Sequence, residues 1–350
     1  DYLRNSLDTD AYYGRQARWG EIEVPFYSAG NWSGAGLHLR GNTEAFVRAG
    51  SKHKKLRIHA GTHYHPFYAE EARHDQMRFL DHWLKGSDSG LLDEPPVKLL
   101  IRTGGGKGYH WRHENEWPLR RTQWTKFYLQ PAREGAGAAG PVEGALTITA
   151  PKTRKSISYS ASGMTKAGVA SASWTATALA GSLQRLGVSF ETAPLPADTE
   201  ITGPINLVLW VSSTTEDMDI FATIRNIDPD GKDVWEIGQQ QQPVPVAKGW
   251  LRASHRKLDR ELSLPYRPYH AHDERQWLKP GEIVQVEVEI WPTCMVFRKG
   301  HRIRLDIQPK DGVGSAPYTH YSADYNVGTN TIFTGGSTAS YLLLPVIPKK

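Results

Sequence analysis

A single cysteine in 350 residues, Cys294, excludes an internal disulfide framework. Its strand-like surroundings, Val286 to Val296, suit a small buried hydrophobe better than a nucleophile. No apolar run approaches the roughly 20 residues needed to span a bilayer, and the first residues lack a charged-then-apolar signal pattern. The expectation is a soluble protein, with the cytoplasm only as the default address. The net charge of +5 is small for the length, and the basic residues are scattered rather than gathered into an aromatic-interleaved stripe. Nucleic acid is therefore a poor partner. There is no His-Glu-x-x-His and no second carboxylate cluster at ligand spacing, so neither a metal nor a cofactor is expected. Nor is there a Gly-x-Ser-x-Gly elbow to carry a nucleophilic serine.

What is present begins with Leu56-Arg57-Ile58-His59-Ala60-Gly61-Thr62-His63. It reads as a short strand that breaks at glycine and delivers a histidine at its carboxyl end, where open α/β sheets keep their chemistry. A strand over Glu23 to Gly30 precedes it. A helix over Gly36 to Ala49 follows that strand, with Leu37, Ala45, Phe46 and Ala49 on its buried side. A second helix over Tyr68 to Leu84 repeats the spacing through Met77, Leu80 and Trp83, with Gly86 as its stop. This β-α-β-α order implies parallel strands and the edge of a doubly wound sheet that cannot close a core alone.

The texture changes near residue 92. Val97 to Ile101, Thr125 to Leu129, Ile205 to Val211, Asp219 to Arg225, Ile283 to Ile290, His301 to Ile307 and Ser340 to Leu344 are short strand-like runs divided by Gly, Pro, Asn and Asp. They predict a two-layer all-β sandwich of jelly-roll type over 92–350, behind an α/β portion over 1–91. Pro131 to Pro141 reads as a surface loop, and Gln239 to Gln242 is too short for a low-complexity domain. Asp228-Pro229-Asp230-Gly231 is turn chemistry. Tyr266 to His270 reads as an extended surface segment whose prolines forbid a central strand.

Three groups of residues then carry a resemblance. Val24-Pro25 with Gly30-Asn31-Trp32 is the first. His63, Phe79 to Gly86 and Glu94-Pro95-Pro96-Val97 form the second. Thr202-Gly203-Pro204, Asp217-Met218-Asp219, Pro229-Asp230-Gly231, Gly249 to Arg256 and Gly300 to Leu305 form the third and most specific. Together they resemble the carboxyl-terminal half of the cocaine esterase and X-Pro dipeptidyl-peptidase family of serine hydrolases, the CocE/NonD family. The resemblance implies the end of an α/β-hydrolase sheet followed by a jelly roll, with His63 as the triad base and an acyl-enzyme mechanism.

Two partners of that base are displaced. The family's acid is an Asp shortly after the Trp of the Gly-x-Trp turn, but Ser33, Gly34, Ala35 and Gly36 follow Trp32 here. Glu44 on the next helix is one candidate, against a plain exposed glutamate or an acid from elsewhere. Trp32 lines an acyl pocket or sits in the core. His59, His63 and His65 could suggest a metal, although the glycine at the strand end makes a common direction doubtful; His65 is the fallback base if the register slips.

The expected substrate is a small ester or peptide, and the expected partner is the amino-terminal half of a hydrolase bearing the nucleophile. Without that half, hydrolysis is not expected. No membrane partner is anticipated, and oligomer contacts through the sandwich stay open. The other class of reading is a non-catalytic β-sandwich module that binds a ligand or partner.

Overall fold

β1 (Phe26–Asn31) and β2 (Lys54–His59) pair in parallel, as the β-α-β order requires, with α1 (Leu39–Arg48) crossing between them. The computed structural model of the chain describes residues 6–8, 12, 16–34, 36–105, 107–132, 143–162, 187–311 and 326–349. α2 (His65–Tyr68) and α3 (Glu70–Lys85) follow β2. Gly86 ends α3 in the left-handed conformation at φ 69°, with its N–H on the carbonyl of His82 and that of Ser87 on Asp81. That is the stop a glycine supplies without a Cβ clash.

Val97 to Ile101, expected in the sandwich, instead forms β3 (Val97–Ile101), parallel to β2, and β4 (His110–Glu114) adds antiparallel to it. Val97, Leu99 and Ile101 are buried alternately, which either sheet would demand. Pairing partner, not periodicity, separates the two cases, so the first sheet runs past residue 92 in the order β1-β2-β3-β4.

The helix faces also correct the pattern. Phe46 and Ala49 are buried as expected, but Leu37 is exposed. On α3 the inward side chains are Ala72 and Phe79, the latter against Tyr27 at 5.7 Å between ring centroids. Met77, Leu80 and Leu84 face outward. Two apolar stripes share this helix, and spacing alone does not say which one the chain itself covers.

The rest of the described residues are mainly β-structure: β5 (Gln123–Pro131), β6 (Gly144–Thr147), β7 (Lys155–Ser160), β8 (Val188–Glu191), β9 (Thr199–Ser213), β10 (Asp219–Ile227), β11 (Glu236–Ile237), β12 (Pro243–Val244), β13 (Ala247–Arg252), β14 (Val284–Phe297), β15 (Arg302–Gln308), β16 (Thr329–Thr334) and β17 (Tyr341–Ile347). Pairing runs β14-β13-β10-β15-β8-β6-β5-β17-β9 and returns from β9 to β14, with β16 and β7 continuing outward from β9. The wall is thus barrel-like and suits a β-sandwich whose two layers join at both sides. Val286, Val288 and Ile290 of β14 bury opposite Leu209, Leu207 and Ile205 of β9, while Glu287 and Glu289 point the other way. The turn at Asp228–Gly231 forms as expected, Gly231 at φ 80° and its N–H on Asp228 O. Most of the Pro131 to Pro141 loop lies outside the described residues.

Sheet and sandwich share a seam. Cys294 of β14 packs with Trp32, Leu56, Ile58 and Trp117 in one apolar cluster, and the N–H of Val296 bonds Arg102 O at 2.8 Å. The thiol is fully buried, accepts from Thr202 Oγ1, and is pushed up to about 11 by that burial. It is a core residue, as its strand setting implied. Tyr266 to His270 belongs to the same seam rather than the surface. Tyr266 stacks on Trp124 at 4.2 Å, Arg267 is buried against Glu44, and Tyr269 lies beneath the guanidinium of Arg40.

Candidate functional site

His63 stands four residues beyond the carboxyl end of β2, in the loop before α2. The loop after β1 holds that loop in place. Asn31 Nδ2 donates to the carbonyl of Gly61 at 2.9 Å and of Thr62 at 3.3 Å, while Asn31 Oδ1 accepts from the N–H of Ser33. The asparagine of the Gly30-Asn31-Trp32 turn therefore fastens the histidine loop to its neighbour.

A third segment completes the site from the sandwich. The β11–β12 hairpin brings Gln239 over the loop, where Gln239 O accepts from the N–H of His63 at 2.9 Å. Its side-chain Nε2 lies 3.1 Å from His63 Nδ1. The imidazole is also stacked by His38 at 5.6 Å between ring centroids and met edge-on by Tyr64 at 4.7 Å. His63 Nε2 makes no hydrogen bond among the described residues.

The other two candidates lie elsewhere. Glu44 is buried, but its carboxylate is committed to Arg267 of the sandwich at 2.5 Å and to Arg48 at 3.8 Å. It is neither the exposed glutamate nor a partner of His63; the geometry makes it an ion-pair anchor of α1. Trp32 is 2% exposed, packs at 5.9 Å from Trp117 and donates its indole N–H to Leu100 O at 2.9 Å. Of the two alternatives the sequence left open, the core is where the ring lies. His65 is exposed at the start of α2, and no group of three or more metal-ligating side chains forms among the described residues.

These contacts place the histidine loop against a sandwich whose sequence has a known type. Residues 89–343 match the X-Pro dipeptidyl-peptidase C-terminal non-catalytic domain. The chain belongs to that family. Cocaine esterase of Rhodococcus is 25% identical over 311 residues, which are 80% of this chain and 46% of that protein. The crystal structure of a CocE/NonD family hydrolase from Staphylococcus aureus superposes with a TM-score of 0.86 at 28% identity, covering 99% of this chain and 59% of that one. An α-amino acid ester hydrolase, 15% identical over 99% of this chain and 60% of its own, shares the fold at a TM-score of 0.67. The chain corresponds to the carboxyl-terminal half of a CocE/NonD hydrolase and spans about half the length of these relatives. The X-Pro C-terminal domain begins close to the change of texture near residue 92, although hydrogen bonding carries the first sheet through to β4.

Gln239 is the site residue that sequence reasoning missed. Its only signal is a polar run between Gly238 and Pro243 in a strand-rich region, which reads as composition rather than chemistry. The turn is nonetheless well defined, with Gln241 at φ 66° and the N–H of Gly238 on Gln242 O at 2.7 Å.

His59, at the end of β2, is 3% exposed, and neither ring nitrogen has a hydrogen-bond partner among the described residues. Burial first, then the Arg57 and His63 charges, lower its pKa to about 4. Below the unfolded value of 6.5 the unfolded chain takes up a proton that the folded chain refuses. Stability from this group is therefore full above pH 6.5 and falls as the pH drops toward 4. Lowering the pH from 7 to 5 should cost about 2 kcal/mol through His59 alone. Urea unfolding of the wild type and of His59→Leu at both pH values checks this: the pH-dependent loss should shrink by about that amount in the variant.

Proposed function

We propose that the chain is part of a serine hydrolase that cleaves ester or amide bonds, X-Pro peptide bonds among the latter, with His63 as the base. The observation that carries this reading is the placement of one imidazole. It sits at the carboxyl end of a parallel strand, braced by the neighbouring strand's loop, with Nδ1 engaged by protein and Nε2 without a hydrogen bond among the described residues. In the reaction, a serine Oγ attacks the carbonyl as His63 Nε2 takes its proton. The same nitrogen then protonates the leaving group, and water releases the acyl group by the reverse sequence.

The serine comes from outside these residues, on a segment that completes the α/β-hydrolase sheet. Among the described residues β1 has no partner on its outer edge, and an unpaired edge in a parallel sheet is a place for another strand. The outward side chains of Met77, Leu80 and Leu84 on α3 supply apolar surface near that edge's helical layer. The freestanding-module alternative has less support, because the sandwich is hydrogen-bonded to the histidine loop itself.

Treating the complete protein with a fluorophosphonate should label one serine outside this 350-residue stretch, found by peptide mass spectrometry. Absence of any labelled serine, or a label within the stretch, would overturn the reading.

A further inference from the structure

We propose that Gln239 is the positioning residue for His63, taking through its carboxamide the place at Nδ1 that a carboxylate would hold. This rests on His63 being the base, and it adds a residue that the sandwich, not the α/β portion, contributes. Gly34 shows how the exchange is built. It is the second residue after Trp32, in the stretch where the sequence lacks an acid, and a Cβ there would lie 2.7 Å from Gln239 Nε2 and 3.1 Å from Asn31 O. The carboxamide thus fills the space that a side chain at position 34 would enter. Bare backbone at Gly34 and a long amide at Gln239 are complementary halves of one arrangement.

The chemistry follows from which end of the amide faces the ring. With the NH2 toward Nδ1, the neutral ring carries its proton on Nε2, and that nitrogen only donates. Turning the amide by 180° places Oε1 there, Nδ1–H donates to it, and the Nε2 lone pair is free to accept the serine's proton. When Nε2 takes that proton, the imidazolium keeps the Nδ1–H···Oε1 bond. An amide therefore fixes ring direction and tautomer as an acid does, but adds no negative charge beside the imidazolium. Among the described residues the titratable groups around the ring are His38 stacked upon it, Tyr64 at its edge and His59 behind the loop. None of them is a carboxylate.

The test reads the ring rather than turnover. In the protein labelled with ¹⁵N at histidine, the His63 resonances are assigned by their loss in His63→Ala. Gln239→Leu should change the neutral-state tautomer ratio, seen in the Nδ1 and Nε2 shifts, and Gln239→Glu should move the neutral ring toward the Nδ1–H tautomer, because a carboxylate only accepts. Gly34→Asp placed in the Gln239→Ala background should favour that tautomer likewise, because the vacated space then admits the carboxylate. Unchanged tautomer ratio in Gln239→Leu, with thermal unfolding showing the variant folded, would overturn the proposal. So would a Gly34→Asp/Gln239→Ala protein whose His63 tautomer ratio matches that of Gln239→Ala alone. If these shifts appear while His63→Ala in the complete hydrolase stays active, the positioning contact stands and the catalytic reading falls.

Discussion

Replacing His63 with alanine in the complete hydrolase should lower kcat for ester hydrolysis by about a hundred- to ten-thousand-fold, the usual contribution of a positioned base. Stability should hardly change. The ring is half-buried in a loop, its stacking partner His38 is itself exposed, and the bond from residue 63 N–H to Gln239 O needs no side chain. In the proposed role His63 moves a proton and does not hold the substrate, so KM should move far less than kcat. Steady-state kinetics beside a thermal melt separate the two effects. Activity within a few-fold of wild type would remove His63 from the reaction.

Arg267→Leu should do the opposite, costing about 3 kcal/mol of stability, the lower end for breaking a buried pair, because it leaves the buried Glu44 carboxylate dependent on the more distant Arg48 at 3.8 Å. Glu44 is 5% exposed and Arg267 is 9% exposed, and the guanidinium also donates to Leu262 O at 2.8 Å. Beside them, Arg40 on α1 makes a 2.9 Å contact with each carboxylate oxygen of Glu289 on β14. Two ion pairs therefore tie one helix to the sandwich, and in water-poor surroundings the penalty falls mainly on the partner left behind. The double variant Glu44→Leu/Arg267→Met should recover most of the loss, since removing both charges removes the uncompensated burial. Urea unfolding of the three proteins measures this. A single variant within about 0.5 kcal/mol of wild type, the range of an ordinary surface change, would mean the pair is solvated in solution.

Local signals made much of this architecture legible. The strand ending before His63, the glycine stop after α3 and the Asp228–Gly231 turn each depend on near neighbours in the chain. Long-range pairing was not legible. Val97 to Ile101 has the same alternation in either sheet, and Glu44 looks like any helix glutamate until Arg267 arrives from 223 residues away. The Gln239 contact spans 176 residues and was invisible for the same reason. α3 shows a further limit. Its hydrophobic spacing marks two stripes, and among the described residues only one of them is covered.

The ring of strands carries a consequence for how the protein is made. β17 is the stave between β5 and β9, with Tyr341 opposite Tyr128 on one side and Val208 on the other. Every other member of the wall is synthesised before it. Until those seven residues leave the ribosome, β5 and β9 each present an unfilled row of backbone donors and acceptors, the kind of edge that recruits chaperones or other nascent chains. A stop codon placed just before Tyr341 would therefore delete a central plank rather than a tail. Closure of the wall waits for its last strand.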